Sequence, residues 1–551
     1  MTDHGAMQLE FANTLARERD ISRPIVLIGF RRAGNLGMGY LASTLRARGY
    51  RVEIVEFEDQ LEEIISAVRR CDPLIVGFSL IFQFYVRRYA VMMQALRAAG
   101  VTSHFTIGGH FPTLSYAHTL ELLPELDSVA RFEGELTLLE LADTLSLGKD
   151  WHSIHGLAWR DGAEVASTPL RPLLPNLDEL PYPDRDVKPA ATLGLNIAQM
   201  LASRGCIRTC SFCSIHMFYR SAPGKVVRTR KPAEVAKEMR YLHEEQGASF
   251  FLFQDDDFPV FGNVWKRWTR EFLSELWKNE LPGRVIWKIN ARADAIDSEL
   301  FSEMRDAGMY VVYMGLESGS DEGMVELNKS ITVAQNLRAV ETLKNLNIQF
   351  DFGFMLVDPS STFESVLRNI SFLRQIVGDG YMAAEFCRMI PYDGTPIKDQ
   401  LQKEGRLRGD VCNPDYDFLD PRLEPFYNNV NELLNLTGWL HGMQALSPQI
   451  KYAWNEVAVI ERFFPNVTGL SDYRKGLRAL TAASNEVLFK TVEELAYAAM
   501  DDRAAGLSKT ELQAKCAAFL HLLIEQRDGF ILKNQKKILR VVRPKKLQAA
   551  E

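Results

Sequence analysis

The sequence has few cysteines and no long apolar run, and both absences exclude classes of protein. Seven cysteines are scattered over 551 residues, so they do not form the dense framework of a disulfide-rich secreted domain. The longest apolar stretches, such as PLIVGFSLIF, have the length of a strand and fall far short of the roughly 20 residues of a membrane-spanning helix. The first twenty residues lack the apolar core of a secretory signal. We therefore expect a cytoplasmic protein without a membrane span.

The sequence also lacks an excess of positive charge. Its formal net charge is −7, which argues against a nucleic-acid-binding protein, because such proteins bind phosphates through basic surfaces. Hydrophobic residues make up 46% of the chain and charged residues 25%, as in ordinary globular proteins. A chain of this length exceeds what one hydrophobic core can organise. We expect several domains.

Four regions differ in their pattern along the chain and together predict an α/β protein. Residues 1–149 begin with a polar helical lead-in and then alternate strand-like and helix-like stretches, which predicts a doubly wound, Rossmann-like domain. Residues 150–189 are rich in proline and predict a linker. Residues 190–425 repeat six strand–helix units and predict a partial (β/α)6 barrel. Residues 426–551 show helical periodicity and predict a C-terminal helical domain.

Three of the seven cysteines follow the first predicted barrel strand within eight positions. Cys206, Cys210 and Cys213 have the spacing Cys-x-x-x-Cys-x-x-Cys. Three closely spaced thiolates can hold three corners of a 4Fe–4S cluster, and barrel enzymes carry their chemistry at this end of the strands. A structural zinc site is the alternative, with His216 as the fourth ligand.

With Phe212 before the third cysteine, this motif resembles the signature of the radical SAM superfamily. The resemblance implies that the three cysteines are the catalytic and metal-binding residues and hold a 4Fe–4S cluster. It implies that S-adenosylmethionine chelates the fourth iron and is cleaved to a 5′-deoxyadenosyl radical. It also implies a reducing partner such as flavodoxin or ferredoxin.

Polar side chains follow the second, third and fourth barrel strands, at the same edge as the cysteines. Asp255, Asp256 and Asp257 follow the second strand, and the resemblance implies that one of these carboxylates accepts hydrogen bonds from the methionine ammonium, with Asp255 and Asp256 as the expected residues. Arg292 follows the third strand and is expected to pair with the methionine carboxylate. Glu317 and Ser318 follow the fourth strand and resemble the ribose-binding position of related enzymes. The structural alternatives are an exposed acidic loop and a salt bridge within the barrel.

Two glycine-containing turns in the first region resemble those of the cobalamin-binding domain that precedes one large radical SAM class. In GNLGMGY, Gly34 and Gly37 would let the backbone approach a bulky ligand closely. In IGGHFPT, Gly108, Gly109 and His110 complete the expected cofactor-binding residues, and His110 is expected to pack in its turn rather than to ligate a metal. The Asp-x-His-x-x-Gly motif that places a histidine below cobalt is absent, as is common in that class. Taken alone, the first glycine turn is also compatible with a dinucleotide site.

The combined resemblance implies a cobalamin-dependent radical SAM enzyme. The expected activity is a methyltransferase that moves a methyl group from S-adenosylmethionine through methylcobalamin to an unactivated carbon of a small-molecule substrate. One alternative is a cyclase, ring-rearranging or oxidising enzyme with the same cofactors, as in the magnesium-porphyrin oxidative cyclases. Another alternative is a cobalamin-binding regulator with a degenerate barrel, against which the intact cysteine triplet argues.

Overall fold

The computed structural model describes residues 20–32, 34–185 and 189–539. Within these ranges the chain forms two seven-stranded sheets followed by a helical region. The expected helical lead-in lies outside the described residues, apart from its last position. No helix in the described ranges is long and apolar enough to cross a membrane.

The first sheet has the strand order 2-1-3-4-5-6-7 in chain numbering. Its first five strands run parallel to one another. The sixth strand pairs antiparallel with the fifth, and the seventh pairs antiparallel with the sixth. The strands are Ile25–Gly29, Val52–Glu56, Ile75–Ser79, His104–Gly108, Ser128–Ala130, Leu157–Asp161 and Glu164–Ser167. The α-helices between them are Leu36–Ala47, Leu61–Cys71, Val86–Ala98, His110–Leu114, Tyr116–Leu122 and Gly134–Ser146.

The central strands of the first sheet are buried on both faces. All five residues of Ile25–Gly29 are buried. Val26 and Ile28 pack into one hydrophobic cluster, and Ile25 and Leu27 pack into another on the opposite face. Helices on both faces therefore explain why these strands are continuous apolar runs, and the predicted doubly wound sheet is confirmed.

The stretch 150–189 differs from the linker that the sequence predicts. Its first half forms the antiparallel hairpin Leu157–Asp161 and Glu164–Ser167 on the edge of the first sheet. The hairpin is short and its outer strand is largely exposed, so it lacks the long apolar run of a buried strand. The chain crosses towards the second sheet only after this hairpin.

The second sheet, here called the barrel sheet, is an open, curled half-barrel whose seven strands lie side by side in chain order. Its strands are Ala191–Thr192, Leu195–Met200, Ala248–Phe253, Ile286–Ala291, Met309–Glu317, Gln349–Val357 and Cys387–Arg388. All except the short strand Ala191–Thr192 run parallel, and these six parallel strands are counted below from Leu195–Met200 as the first to Cys387–Arg388 as the sixth. The helices of this region are Ser214–Arg220, Pro232–Gln246, Gly262–Lys278, Ser298–Asp306, Asp321–Glu326, Val333–Asn345, Phe363–Val377 and Pro396–Lys403. This confirms the predicted partial barrel.

The sixth barrel strand is much shorter than the run 381–390 suggests. Only Cys387–Arg388 pairs with the neighbouring strand. Before it, the Ala384 amide donates to the Asn485 side chain at 2.8 Å, and Asn485 donates back to the Met382 carbonyl at 2.9 Å. A C-terminal helix thus satisfies backbone groups that a longer strand would have paired.

The C-terminal region is helical, as predicted. Its helices are Leu423–Val430, Leu446–Phe463, Leu470–Met500 and Lys509–Leu539, with a π-helical turn at Asn431–Asn435. The helical pattern over 430–446 is interrupted after Asn435, because Gly438 and Gly442 adopt positive φ angles of 89° and 100°, which end regular helix. A ribbon of Leu407–Gly409 and Pro414–Tyr416 precedes this region.

Candidate active site

The cysteine-bearing segment 205–213, here called the cysteine loop, lies at the carboxyl end of strand Leu195–Met200. Cys213 begins the helix Ser214–Arg220, and its amide donates to the Cys210 carbonyl at 3.2 Å. All three thiols are free; Cys210 is buried and the other two are half-buried. The loop therefore presents the three predicted ligands together at the catalytic end of the barrel.

Burial raises the pKa of the loop thiols. It raises the pKa of Cys206 to about 12, with the charge of Asp257 adding to the shift, and the pKa of Cys213 to about 11. Thiols in this environment become ligands only together with a metal centre that stabilises the thiolates. Arg292 supports this chemistry, since its Nη1 lies 3.8 Å from the Cys210 sulfur.

The three thiols match the number of protein ligands that a cluster of several irons can take from one loop. In the part of the chain described, no group of three or more His, Cys, Asp or Glu side chains is placed to hold a single ion. His216, the alternative fourth zinc ligand, is buried, and its Nδ1 has no hydrogen-bond partner among the described residues.

Asp255 and Asp256 occupy different environments although they are adjacent. Asp255 is fully buried and accepts hydrogen bonds from the Ala202 amide and the Ser203 hydroxyl. Asp256 accepts from the Gly205 amide at 3.0 Å and faces the cavity described below. Burial raises the pKa of Asp255 to about 7 and of Asp256 to about 6. Asp255 thus supports the backbone just before the cysteine loop, and Asp256 faces open space.

The next carboxyl group, Asp257, was one of the three aspartates offered by the sequence, and it carries an unsatisfied oxygen. Its Oδ1 is buried and has no hydrogen-bond partner. Burial raises its pKa to about 6, against the opposing charges of Arg208 and Arg292. An orphaned buried carboxylate oxygen beside Cys206 is a natural acceptor for a cationic ligand. Three consecutive aspartates in the sequence indicated an acidic site, but only the fold shows which surroundings each of the three side chains faces.

Arg292 joins the third strand to the cysteine loop. Its Nε donates to Asp294 Oδ1 at 3.1 Å, and its Nη2 donates to the carbonyl of Lys329 at 2.6 Å. Arg292 as a whole is 6% exposed. The salt bridge considered as the alternative for this residue is therefore present, and the same side chain also contacts Cys210.

Glu317 is held in a strained backbone conformation by a buried ion pair. Its φ angle is +65°, which a residue with a β-carbon adopts only at a local cost. Its Oε1 accepts from Lys329 Nζ at 3.0 Å. Burial by itself lowers the pKa of Lys329, but the pairing with Glu317 outweighs burial and holds this pKa above its usual value. Ser318 instead hydrogen-bonds with Asn369 Oδ1 at 3.2 Å. Lys329 comes from a loop twelve residues further on and carried no signal in the sequence.

A cavity of about 610 Å³ lies between the first sheet and the barrel. Its walls come from the carboxyl ends of the first sheet on one side, where doubly wound sheets bind ligands, and from residues around the cysteine loop on the other. The lining residues that the sequence analysis proposed are Gly34, Gly37, Gly108, Gly109, His110 and Asp256.

The turn after strand His104–Gly108 forms a cradle that only glycine permits. Gly109 has a φ angle of +118°, and a β-carbon there would lie 2.2 Å from the Leu80 carbonyl oxygen. Beside it, the His110 ring packs edge-on against Phe218 at 4.6 Å between centroids. Burial lowers the pKa of His110 to about 4, so the ring is neutral and packs in the wall, as expected. A wall of bare backbone and apolar rings fits a large planar macrocycle such as that of cobalamin.

Ion pairs that the sequence analysis missed connect the two sides of this cavity. Arg204, just before the cysteine loop, pairs with Glu133 at 3.1 Å and Glu135 at 2.7 Å. Arg228 pairs with Glu133 at 2.7 Å. The glutamates follow the fifth strand of the first sheet, and the arginines belong to the barrel. This group holds the cysteine loop against the first sheet.

Comparison with known proteins agrees with this geometry. The model of the B12 binding domain matches residues 32–142, and that of the radical SAM superfamily matches residues 200–373. The chain is 30% identical over 368 residues to the uncharacterized methyltransferase PH0819 of Pyrococcus horikoshii, covering 66% of this chain and 77% of that protein. It is 28% identical over 417 residues to the anaerobic magnesium-protoporphyrin IX monomethyl ester cyclase of Rubrivivax gelatinosus, covering 72% and 71%.

Solved structures share the fold at low sequence identity. The cobalamin-dependent S-adenosylmethionine radical enzyme OxsB with aqua-cobalamin bound superposes with a TM-score of 0.65 at 16% identity, covering 95% of this chain and 83% of that chain. The radical S-adenosylmethionine methyltransferase TsrM from Kitasatospora setae superposes with a TM-score of 0.60 at 18% identity, covering 70% and 76%. Both similarities concern the arrangement of the sheets and helices.

Proposed function

This chain belongs to the radical SAM enzymes that carry a B12-binding domain, and from that premise we propose that it is a methyltransferase acting on an unactivated carbon of a small-molecule substrate. Its cofactors are a 4Fe–4S cluster, S-adenosylmethionine and cobalamin. The observation that carries the proposal is the single cavity shared by the Gly109 turn and Asp256 beside the cysteine loop. A methyl carrier and a radical source would face one substrate there.

When bound, these groups supply the radical and the transferable methyl group. The protein would hold the cluster through Cys206, Cys210 and Cys213. Arg292 would orient the Cys210 side of the loop through its contact with the sulfur. Burial of this loop would limit access of water and oxygen, as radical chemistry requires.

The residues proposed to hold S-adenosylmethionine follow the second and fourth barrel strands, at the same edge of the barrel sheet as the cysteine loop. Asp256 and the unpaired Oδ1 of Asp257 would accept hydrogen bonds from the methionine ammonium. The Glu317 carboxylate would accept from the ribose hydroxyls, with Lys329 fixing its orientation. Ser318, hydrogen-bonded to Asn369, would shape this turn rather than contact the ligand.

The residues proposed to hold cobalamin form the opposite wall. Gly34, Gly108 and Gly109 would leave room for the macrocycle, and His110 would pack beside it as a neutral ring. With its lowered pKa and its contact with Phe218, His110 would shape the wall without entering the cobalt coordination.

The proposal is tested by anaerobic reconstitution followed by product analysis. We expect about four irons and about one cobalt per chain. With S-adenosylmethionine and a reductant such as flavodoxin, we expect both S-adenosylhomocysteine, which reports methyl transfer, and 5′-deoxyadenosine, which reports radical formation. Release of 5′-deoxyadenosine without S-adenosylhomocysteine, in protein that retains cobalt, would contradict methyl transfer.

The cyclase relatives support a second candidate function, an oxidative ring closure with the same cofactors. The chain covers 71% of the Rubrivivax gelatinosus cyclase and shares 28% identity with it. S-adenosylmethionine with a deuterated methyl group separates the two functions. A methyltransferase places the label in the product, whereas a cyclase yields an unlabelled product that has lost hydrogen.

A further inference from the structure

The interior of the barrel carries a second set of polar residues below the cysteine loop. Lys288, Tyr313 and Asp351 lie on three consecutive strands and are half-buried, whereas their sequence neighbours are buried beneath the outer helices. They share the inner face with Glu317, since a β-carbon at Gly353 would lie 2.7 Å from Tyr313 Oη and 3.7 Å from Glu317 Oε2. The inner face therefore extends from the Glu317 site down to these three side chains.

A C-terminal helix closes this interior from below. Lys451, on the helix Leu446–Phe463, pairs with Asp351 Oδ1 at 2.7 Å and with Glu385. His441 lies 3.9 Å from Glu385. We call Asp351, Glu385 and Lys451 the barrel floor. Its two carboxylates share one ammonium, which comes from the helical region.

Lys288 stands beside the barrel floor without a carboxylate of its own. No described carboxylate lies within 4.0 Å of its Nζ, which stands 5.2 Å from the centroid of the Tyr313 ring. Burial lowers the pKa of Lys288, with the charge of Asp351 opposing this shift and that of Lys451 adding to it. The Tyr313 hydroxyl likewise makes no hydrogen bond within the described ranges. Two donors thus point into the interior without acceptors.

Paired glycines let the polar side chains of the inner face pack closely against the strands. Gly315 and Gly353 are partners across adjacent strands. A β-carbon at Gly315 would lie 2.3 Å from Glu317 Oε1 and 2.8 Å from Lys329 Nζ. Side chains at the two glycine positions would displace these polar groups. The glycines therefore keep the Tyr313 hydroxyl and the Glu317 carboxylate together on one face of the barrel sheet.

We propose that Lys288 and Tyr313 bind an acidic group of the substrate, a carboxylate, phosphate or phosphonate, at the bottom of the barrel. The proposal rests on the proposed function, because it assumes that the substrate enters the barrel below S-adenosylmethionine. Among the lysines of the interior, Lys329 is paired with Glu317 and Lys451 with Asp351 and Glu385. The half-buried Lys288 ammonium has no close hydrogen-bond partner among the described residues, and an acidic group that accepts from it would form a charge-assisted hydrogen bond.

The experiment measures anion binding to the anaerobically reconstituted holoenzyme by thermal shift. The probes are acetate, inorganic phosphate and methylphosphonate, each compared with sodium chloride at equal ionic strength. Saturable stabilisation by at least one probe is expected, because a ligand that binds only the folded state raises its stability. The probe with the lowest midpoint concentration identifies the acidic group as carboxylate, phosphate or phosphonate.

The variants assign the binding to the two donors. K288Q is expected to raise the midpoint concentration about tenfold, and Y313F to raise it by a smaller factor. K288R, which keeps the charge, should retain binding if the fold is intact. K278Q is the matched control, because Lys278 is 64% exposed on the outer helix Gly262–Lys278, and its midpoint should equal that of the wild type.

Two results would overturn the inference. One is the absence of saturable stabilisation by all three probes; the other is an unchanged midpoint in K288Q. Neither depends on turnover, so the proposed function is judged separately. Methyl transfer with no anion response would contradict only the assignment of Lys288, and an anion response without S-adenosylhomocysteine would contradict only the methyltransferase.

Discussion

Three consecutive aspartates after the second barrel strand show how differently neighbouring residues are used. Asp255 supports the backbone before the cysteine loop, Asp256 faces the cavity, and Asp257 keeps an unpaired oxygen. Burial raises the pKa of each above its usual value of 3.8. The cost of ionising them makes this loop a site that favours a cation.

The pH dependence of stability tests the role of Asp255. Its pKa is about 7 in the folded chain against a usual 3.8, so the folded chain binds more protons between these values. Stability should therefore fall as pH rises from about 4 to about 7, by at most about 1.4 kcal/mol per pH unit for one group. D255N should flatten this slope in urea titrations of the apo-protein. S203A keeps the carboxyl group and should keep the slope; equal slopes in D255N and the wild type would contradict the assignment.

A second prediction at the residue scale concerns iron binding by the cysteine loop. C213S should lower the bound iron from about four per chain to a small fraction of that value, because a cubane on two thiolates is poorly held. C71S is the control, since Cys71 lies in the first region at the end of helix Leu61–Cys71. Iron analysis and the visible absorption of the cluster measure both variants. An equal loss of iron in the two would show that the loop is not the cluster site.

At the scale of elements, the turn after strand His104–Gly108 depends on one glycine. G109A would place a β-carbon 2.2 Å from the Leu80 carbonyl at a φ angle of +118°. We expect a loss of more than about 2 kcal/mol of stability, together with loss of cobalamin, because the displaced turn lines the cavity. Gly148 also has a positive φ, +62°, but an added β-carbon would meet open space. G148A should cost about 1 kcal/mol and retain cobalt; similar cobalt contents in the two variants would contradict the prediction.

The elements that sequence patterns predict well are those whose burial is local and continuous. Ile25–Gly29 is apolar throughout because helices cover both faces. The hairpin Leu157–Asp161 and Glu164–Ser167 escapes prediction because it lies at an exposed edge. The sixth barrel strand is overestimated because Asn485, about a hundred residues away, takes its backbone hydrogen bonds.

The same limit applies to the candidate site. Local sequence predicts the cysteine triplet through its spacing and the glycine turns through their resemblance to a cobalamin-binding domain, because one loop carries each of them. The Glu317–Lys329 pair, the Arg204 ion pairs and the position of Lys288 beside the barrel floor depend on which strands become neighbours. Only the assembled sheets show these relationships.

At the scale of the whole molecule, several polar contacts join the first region to the barrel on either side of the cavity, and two groups of them are largely buried. One is the ion-pair group of Arg204 and Arg228 with the glutamates after the fifth strand. The other is Gln83, which donates to Asp393 at 3.1 Å and to the Val411 carbonyl at 2.7 Å. We expect both groups of contacts to help set the spacing between the proposed cobalamin wall and the cysteine loop.

Breaking the first group of contacts tests this arrangement. In R204Q, Glu133 and Glu135 lose a partner in a setting where the Arg204 side chain is only 10% exposed. We expect the free energy of unfolding of the first region, measured by urea titration, to fall by about 3 kcal/mol. Cobalamin should also be released at a lower urea concentration than in the wild type. R87Q is the control, because Arg87 bridges the same two regions through Asp410 but is 67% exposed, and it should cost less than about 1 kcal/mol. Since both variants remove one arginine between the same regions, equal losses would show that contact between the regions, rather than the buried ion pairs beside the cysteine loop, holds the cavity together.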